Sequence, residues 1–163
     1  MTRPKASRAR LRPFRVRDAA DLCRIYPMFF VDNAVHFGGG QLTVADVGGC
    51  AVGFVLWGPA FEPAWFDRGV TRWAELNELH VHPDFQNRGI GLRLVRAAIG
   101  QARAAGFPVM YLMVEADNGK ARRVYERAGF REHNRIARYK VDLQKKSQTP
   151  RLAETRARRS AAL

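Results

Sequence analysis

Residues 82–98, HPDFQNRGIGLRLVRAA, set Gln86-Asn87-Arg88-Gly89-Ile90-Gly91 between a segment of strand character and one of helix character. Glycines at the start of a helix let backbone come close to another body, and the first helical turn carries amides with no intrahelical partner. Those amides, the positive end of the helix dipole and Arg88 suit an anion, phosphate above all. The same spacing also suits a tight turn whose glycines serve geometry alone, and the stretch by itself leaves both open. It is not a dinucleotide fingerprint, because Leu94 stands where a third glycine belongs. Nor is it a triphosphate loop, because no Gly-Lys-Ser/Thr follows.

A second group of residues follows at 118–130, Asn-Gly-Lys-Ala-Arg-Arg-Val-Tyr-Glu-Arg-Ala-Gly-Phe. Ala121 and Tyr125 are four apart, so on a helix the small residue gives room beside the aromatic one. Glu75 and Glu78 are three apart on one expected strand and point to opposite faces unless a bulge intervenes. His80 and His82 have the spacing to share a ligand, but no cysteine or third histidine lies nearby, so no metal site is expected. Arg93, Arg96 and Arg103 form a helix stripe that is either a wet face or a reach toward a phosphate.

The pattern of apolar residues gives the elements that position these groups. A short strand is expected around Leu11, Phe14 and Val16, then a helix capped by Asp18 and stopped at Pro27. Two strands joined at Asp46-Val47-Gly48-Gly49 form a hairpin, and a further strand at 73–81 stops at Pro83. The spacing predicts an amphipathic helix over 89–105, with Ile90, Leu94, Ala98 and Ala102 on its apolar stripe. Residues 108–114, PVMYLMV, read as a buried central strand. A second amphipathic helix runs over 118–128 and ends at Gly129, and 130–142 alternate enough for one or two closing strands. The order is mixed α/β: an antiparallel first half, then strand, helix, strand, helix.

The chain of 163 residues carries a formal charge of +13. Residues 1–17 hold seven basic residues and no acid, and 144–163 hold six against Glu154, so the body between is close to neutral. This describes a domain with basic ends first and a polyanion binder second. The expected layout is a basic tail at 1–10, one domain at 11–143 and a basic tail at 144–163. Cys23 and Cys50 have neither metal-ligand nor disulfide-framework spacing. No apolar run reaches the ~20 residues of a membrane helix, and no signal-peptide core follows the basic start, so a soluble cytoplasmic protein without a membrane partner is expected.

Together the two groups resemble the GNAT superfamily of acetyl-CoA-dependent N-acetyltransferases. Gln86-x-x-Gly89-x-Gly91 is similar to its pyrophosphate motif, Q/R-x-x-G-x-G/A, and Asn118–Phe130 to its second motif, N-x-x-A-x-x-x-Y-x-x-x-G-F. The resemblance covers about residues 11–142 and neither tail. It implies a mixed, mostly antiparallel sheet of six or seven strands flanked by helices, with the fourth and fifth strands splayed. It makes Gln86, Asn87, Arg88, Gly89, Ile90 and Gly91 contacts of the coenzyme pyrophosphate. Leu79, His80 and Val81 then line the acetyl group, with an amide near Val81 as oxyanion donor. Asn118 and Ala121 contact the coenzyme from the other side.

The implied reaction is direct transfer of acetyl from acetyl-CoA, a co-substrate, to a primary amine through a tetrahedral intermediate, with no metal. Tyr125 corresponds to the general acid that protonates the leaving thiolate, and Glu75 or Glu78 to the general base, directly or through water. The acceptor, a small molecule or a peptide, would meet residues 26–40 and 58–72, where aromatic residues alternate with Asp32, Glu62 and Asp67. Aromatic faces with carboxylates suit a cationic amine, and they suit loops pinned to a core equally well. Met113 stands where relatives acting on ribosomal-protein N-termini carry glutamate, which counts against that acceptor. The other reading is a non-catalytic acyl-CoA-binding protein of the same fold, or one docking nucleic acid through its basic ends. A homodimer is left open.

Overall fold

The structure, a computed structural model, describes residues 9–28, 40–60, 64 and 67–135. The chain divides after His133 into two units, and of the second only Asn134 and Arg135 are described. The end of the expected domain at 143 lies outside the described residues.

The hairpin is set by its turn. Gly48 and Gly49 both take positive φ, +62° and +92°, which matches the twist of the strands they join. They link β2 (Gln41–Val47) to β3 (Cys50–Ala60). β1 (Arg10–Pro13) pairs antiparallel with β2, and β4 (Trp73–Val81) antiparallel with β3. β5 (Met110–Tyr111) lies parallel to β4, giving the order β1-β2-β3-β4-β5. A parallel neighbour needs a crossover, and α2 (Ile90–Ala104) supplies it. Ile90, Leu94, Val95, Ala98 and Ala102 of α2 pack on one sheet face with Trp57, Ala74 and Leu76. α1 (Ala19–Ile25) covers the other face, where Leu22 packs with Val44, Phe54 and Leu56. α3 (Gly119–Ala128) follows β5 and ends at Gly129, φ +107°.

This is the mixed, mostly antiparallel, helix-flanked sheet expected, with five strands among the described residues rather than six or seven. Residues 130–135 form no strand, and 136–142 lie outside the described residues. Among the described residues, the apolar run 108–114 is a strand only at Met110 and Tyr111, which are half-buried. Only Met110 and Tyr111 pair with β4, and Met113 and Val114 are exposed. An apolar run fixes what a segment prefers to touch, not how far a neighbouring strand follows it.

Asp18 stands at the start of α1 but its carboxylate does not cap the helix. It takes two hydrogen bonds from the buried Arg12 guanidinium, at 2.6 and 2.8 Å, and one from the Arg15 amide at 2.8 Å. Arg12 also reaches Asp46 at 2.7 and 2.9 Å. One guanidinium thus ties β1, the turn into α1 and the end of β2. The hydrogen bonds from Arg12 hold the Asp18 carboxyl below the usual carboxylate range.

Arg12→Met should lower stability by about 3–5 kcal/mol, because it strands a buried carboxylate. A depressed native pKa gives stability that is complete above the unfolded value, ~4, and lost as pH falls through the folded value. Urea unfolding at several pH values should show the parent weakening in acid and the variant weakening less. A variant as stable as its parent at pH 7 contradicts this account.

Candidate active site

The turn before α2 is built by a chain of local contacts. His82 Nδ1 accepts from the Asp84 amide at 3.3 Å, starting a short 3-10 turn at Pro83–Phe85. Gln86 folds back, its Nε2 donating to the Val81 carbonyl at 2.9 Å. Lys120 of α3 donates to Gln86 Oε1, tying the second motif to the first. Asn87 at φ +59° is the one non-glycine residue with positive φ among those described, and Gly89 follows at +75°. Two left-handed residues within three turn the chain sharply into the helix. The N-cap position falls on Gly89, and no side chain caps α2. The leading amides of α2 are therefore left for something outside the helix, at its positive end. Arg88 stands beside them, its guanidinium 5.2 Å from the Phe85 ring centre.

The two glycines differ in what they do. A Cβ on Gly89 would meet nothing within 4 Å, so its requirement is the backbone angle. A Cβ on Gly91 would lie 3.9 Å from Val124 and from Val81, an ordinary contact directed into the protein. Packing among α2, α3 and β4 therefore leaves room for a Cβ at Gly91.

β4 and β5 pair only at Ala74–Met110 and Glu75–Tyr111. From Leu76 to Val81, β4 has no β5 partner, so the strands part as expected and the unpaired edge runs toward the turn. The β3–β4 register shifts between Leu56 and Trp57: Glu78 faces Leu56, Leu76 faces Trp57 and Glu75 faces Gly58. Asn77 is the extra residue of a bulge. It resolves the question of the two glutamates, because Glu75 and Glu78 now share the α1 face while Leu76 stays in the core under α2. His80 joins them there. Its Nε2 lies 2.7 Å from Glu78 Oε2, and its ring stacks on Tyr26 at 4.2 Å and on Phe54 at 5.2 Å.

Tyr125 lies on the other side of the parting, on α3. It packs against the α2 core cluster and stands edge-on to Phe130 at 6.0 Å. Burial first, and then the charge of Glu78, push its pKa up. That coupling brings a residue of the α1 face within electrostatic reach of one on the α2 and α3 side. Asn118 caps α3, its Oδ1 accepting from the Ala121 amide at 3.1 Å. Its side-chain nitrogen is what remains for another partner. Leu79 and Val81 pack against the α2 core cluster beside this edge.

Sequence reasoning missed the His80–Glu78 pair, whose only signal was i, i+2 spacing on a strand, and the Lys120–Gln86 tie, which had none. It also missed a group on β5: the Tyr111 hydroxyl donates to Asp67, His133 Nε2 lies 3.7 Å from Asp67 Oδ2, and Trp73 stands edge-on to Tyr111 at 5.4 Å. Of the aromatic acceptor segments, residues 29–39, 61–63, 65 and 66 lie outside those described. A cleft of about 300 Å³ lined by Ile99, Phe107, Met110 and Phe130 sits at the far ends of α2 and α3. It lies at the opposite end of α2 from the glycine turn. Among the described residues no group of histidine, cysteine and carboxylates is arranged to hold a metal, and no helix is long and apolar enough to cross a membrane.

The profile of the Acetyltransferase (GNAT) family matches residues 9–130. The chain belongs to this family. It is similar to an uncharacterized N-acetyltransferase of Methanocaldococcus jannaschii, with 39% identity over 90 residues, covering 55% of this chain and 38% of that protein. It is also similar to the mycothiol acetyltransferase of Propionibacterium freudenreichii, with 36% identity over 91 residues, covering 56% of this chain and 27% of that protein. The chain thus spans well under half the length of these two relatives. Among solved structures, the aminoglycoside N-acetyltransferase AAC(6')-Iy in complex with CoA superposes with a TM-score of 0.69 at 17% identity, covering 82% of this chain and 99% of that one. The ribosomal-protein-alanine N-acetyltransferase of Brucella melitensis biovar Abortus gives 0.63 at 18% identity, covering 83% and 99%. At such identities the likeness is one of fold, and this family's fold is the one seen here.

The roles of the two glycines are separable by substitution. Gly89→Val should cost roughly 1–2 kcal/mol through its left-handed backbone. Gly91→Ala should be neutral, or stabilising by up to about 1 kcal/mol through helix propensity. Thermal unfolding of both variants checks this, and equal losses would contradict it.

Proposed function

We propose that this protein is an acetyl-CoA-dependent N-acetyltransferase that moves an acetyl group directly to a primary amine of a small molecule or peptide. One observation carries the reading: an uncapped, amide-rich helix start opens onto a parted strand pair. Tyr125 stands on one side of that parting, and the bulge gathers two carboxylates on the other. The residues fit the coenzyme. The amides at the start of α2, held by the Gln86–Gly91 turn, suit its pyrophosphate, with Arg88 adding formal charge. The unpaired edge of β4 at Leu79, His80 and Val81 offers main-chain groups to its amide-bearing arm. Asn118 and Ala121 close the other side.

Acetyl-CoA supplies the activated acetyl group, and the chain's own residues handle the protons and the charge. An ammonium acceptor must give up a proton before its nitrogen can attack. Glu75 and Glu78 are the acceptors for that proton, directly or through water, and they stand on one face with His80 beside them. A β4 amide near Val81 stabilises negative charge on the thioester oxygen. Tyr125 returns a proton to the departing sulfur. Its raised pKa keeps it protonated throughout the neutral range, and a thiolate of ordinary pKa ~8.5 is basic enough to take that proton. With its pKa above the usual ~10 of a phenol, Tyr125 should not impose a loss of activity below that pH.

A panel of amines assayed for thiol release from acetyl-CoA tests the reading. Tyr125→Phe should lower kcat about a hundredfold or more, with the KM for acetyl-CoA nearly unchanged. Equal turnover in variant and parent would remove Tyr125 from the reaction. Thermal stabilisation by acetyl-CoA with no thiol release across the panel would favour a binding protein of this fold over an enzyme.

A further inference from the structure

Three aromatic or acidic groups outside the proposed chemistry come together beside it. Parallel neighbours in register carry their side chains to the same face, so Tyr111 of β5 lies next to Glu75, with strands about 4.8 Å apart. Trp73, two residues before Glu75 on β4, shares that face and packs edge-on to Tyr111 at 5.4 Å. The Tyr111 hydroxyl donates to Asp67 Oδ2, and His133 Nε2 stands 3.7 Å from the same oxygen. Asp67 is about one-third exposed, and its Oδ1 makes no hydrogen bond or ion pair among the described residues. Two groups therefore orient one oxygen of this carboxylate while the other stays available. Burial and Asp67 push the Tyr111 hydroxyl up to about 12, so it remains a neutral donor.

We infer that Asp67, held by Tyr111 and His133, is a cation subsite for a second positive group on the acceptor. The preferred acceptor class is then a diamine or polyamine-like molecule, with one amine at Glu75 and Glu78 and another at Asp67. This rests on the acetyl-transfer reading of the same face. The site differs from the phosphate-binding end in charge and position: it lies where β4 and β5 are still joined, whereas the amides of α2 lie past the point where they part. A partly exposed carboxylate with one oxygen held in place favours a cation through direct charge.

The competing role for Asp67 is to pin its loop to β5, and Asp67→Asn separates the two. An asparagine oxygen still accepts from the Tyr111 hydroxyl, so a pinning role survives the change while the charge is lost. The probes are α,ω-diaminoalkanes and n-alkylamines of matched chain length, each assayed with acetyl-CoA. In the parent, the diamine should have a kcat/KM about tenfold or more above its matched monoamine, as one charge-assisted contact allows. Asp67→Asn should bring that ratio close to one. A parent ratio near one, or a ratio unmoved by Asp67→Asn, overturns the subsite.

Calorimetric binding of the same diamines, which needs no turnover, keeps the two readings apart. Diamine affinity that drops about tenfold in Asp67→Asn supports the subsite even if no amine is acetylated, a failure that would count against the enzymatic reading alone. Equal affinity in the two proteins counts against the subsite whatever the assay shows.

Discussion

The parting of β4 from β5 is the constraint on which the rest depends. β4 is held along nearly its whole length by β3, but by β5 at only two positions. Had β5 followed β4 to its end, the main-chain groups near Val81 would be spent on the sheet. The bulge at Asn77 lies just past the last β4–β5 pair. It keeps Leu76 and Trp57 in the core under α2 while turning Glu75 and Glu78 to the opposite face. The strand is thus a wall of the core on one side and a row of polar groups on the other, and neither role is given up for the other.

A sheet opened in this way gives up hydrogen bonds, and the fold is secured elsewhere. Two clusters, one under α2 and one under α1, bury the faces of β2 and β3. Polar ties cross-link them. Arg12 joins β1 to Asp18 and Asp46. Trp57 Nε1 donates to Gln101 at 2.9 Å, and Gln101 donates to Thr43 at 2.9 Å, linking β3, α2 and β2. These ties lie in the antiparallel half, away from the parting.

The parts of this arrangement that depend on local chemistry were legible in the sequence. Gly48-Gly49 called for a hairpin, Gly129 for a helix end and Pro83 for a strand end, and each is found in place. The glycine turn was legible as a helix start lacking a side-chain cap. The bulge was not, since Leu76-Asn77-Glu78 carries no local mark of an extra residue. The shift arises from pairing with β3, and it decides which face each glutamate takes. The short reach of β5 was hidden for the same reason, because PVMYLMV has the composition of a fully paired strand. Asp18 was read as a helix cap from its position, but a buried arginine 34 residues from its second partner, Asp46, took the carboxylate instead. Contacts between residues distant in sequence decided the first two outcomes, and Arg12, six residues before Asp18, decided the third.

The account stands on the free amides at the beginning of α2. Amide-resolved NMR of the protein titrated with CoA reads them one at a time. The largest shifts should fall on the backbone amides from Gly89 to Leu92, with smaller ones along Leu79–Val81, and inorganic pyrophosphate alone should reproduce the first set and not the second. If CoA binds and those helix-start amides do not move, the coenzyme is held elsewhere and the account is wrong.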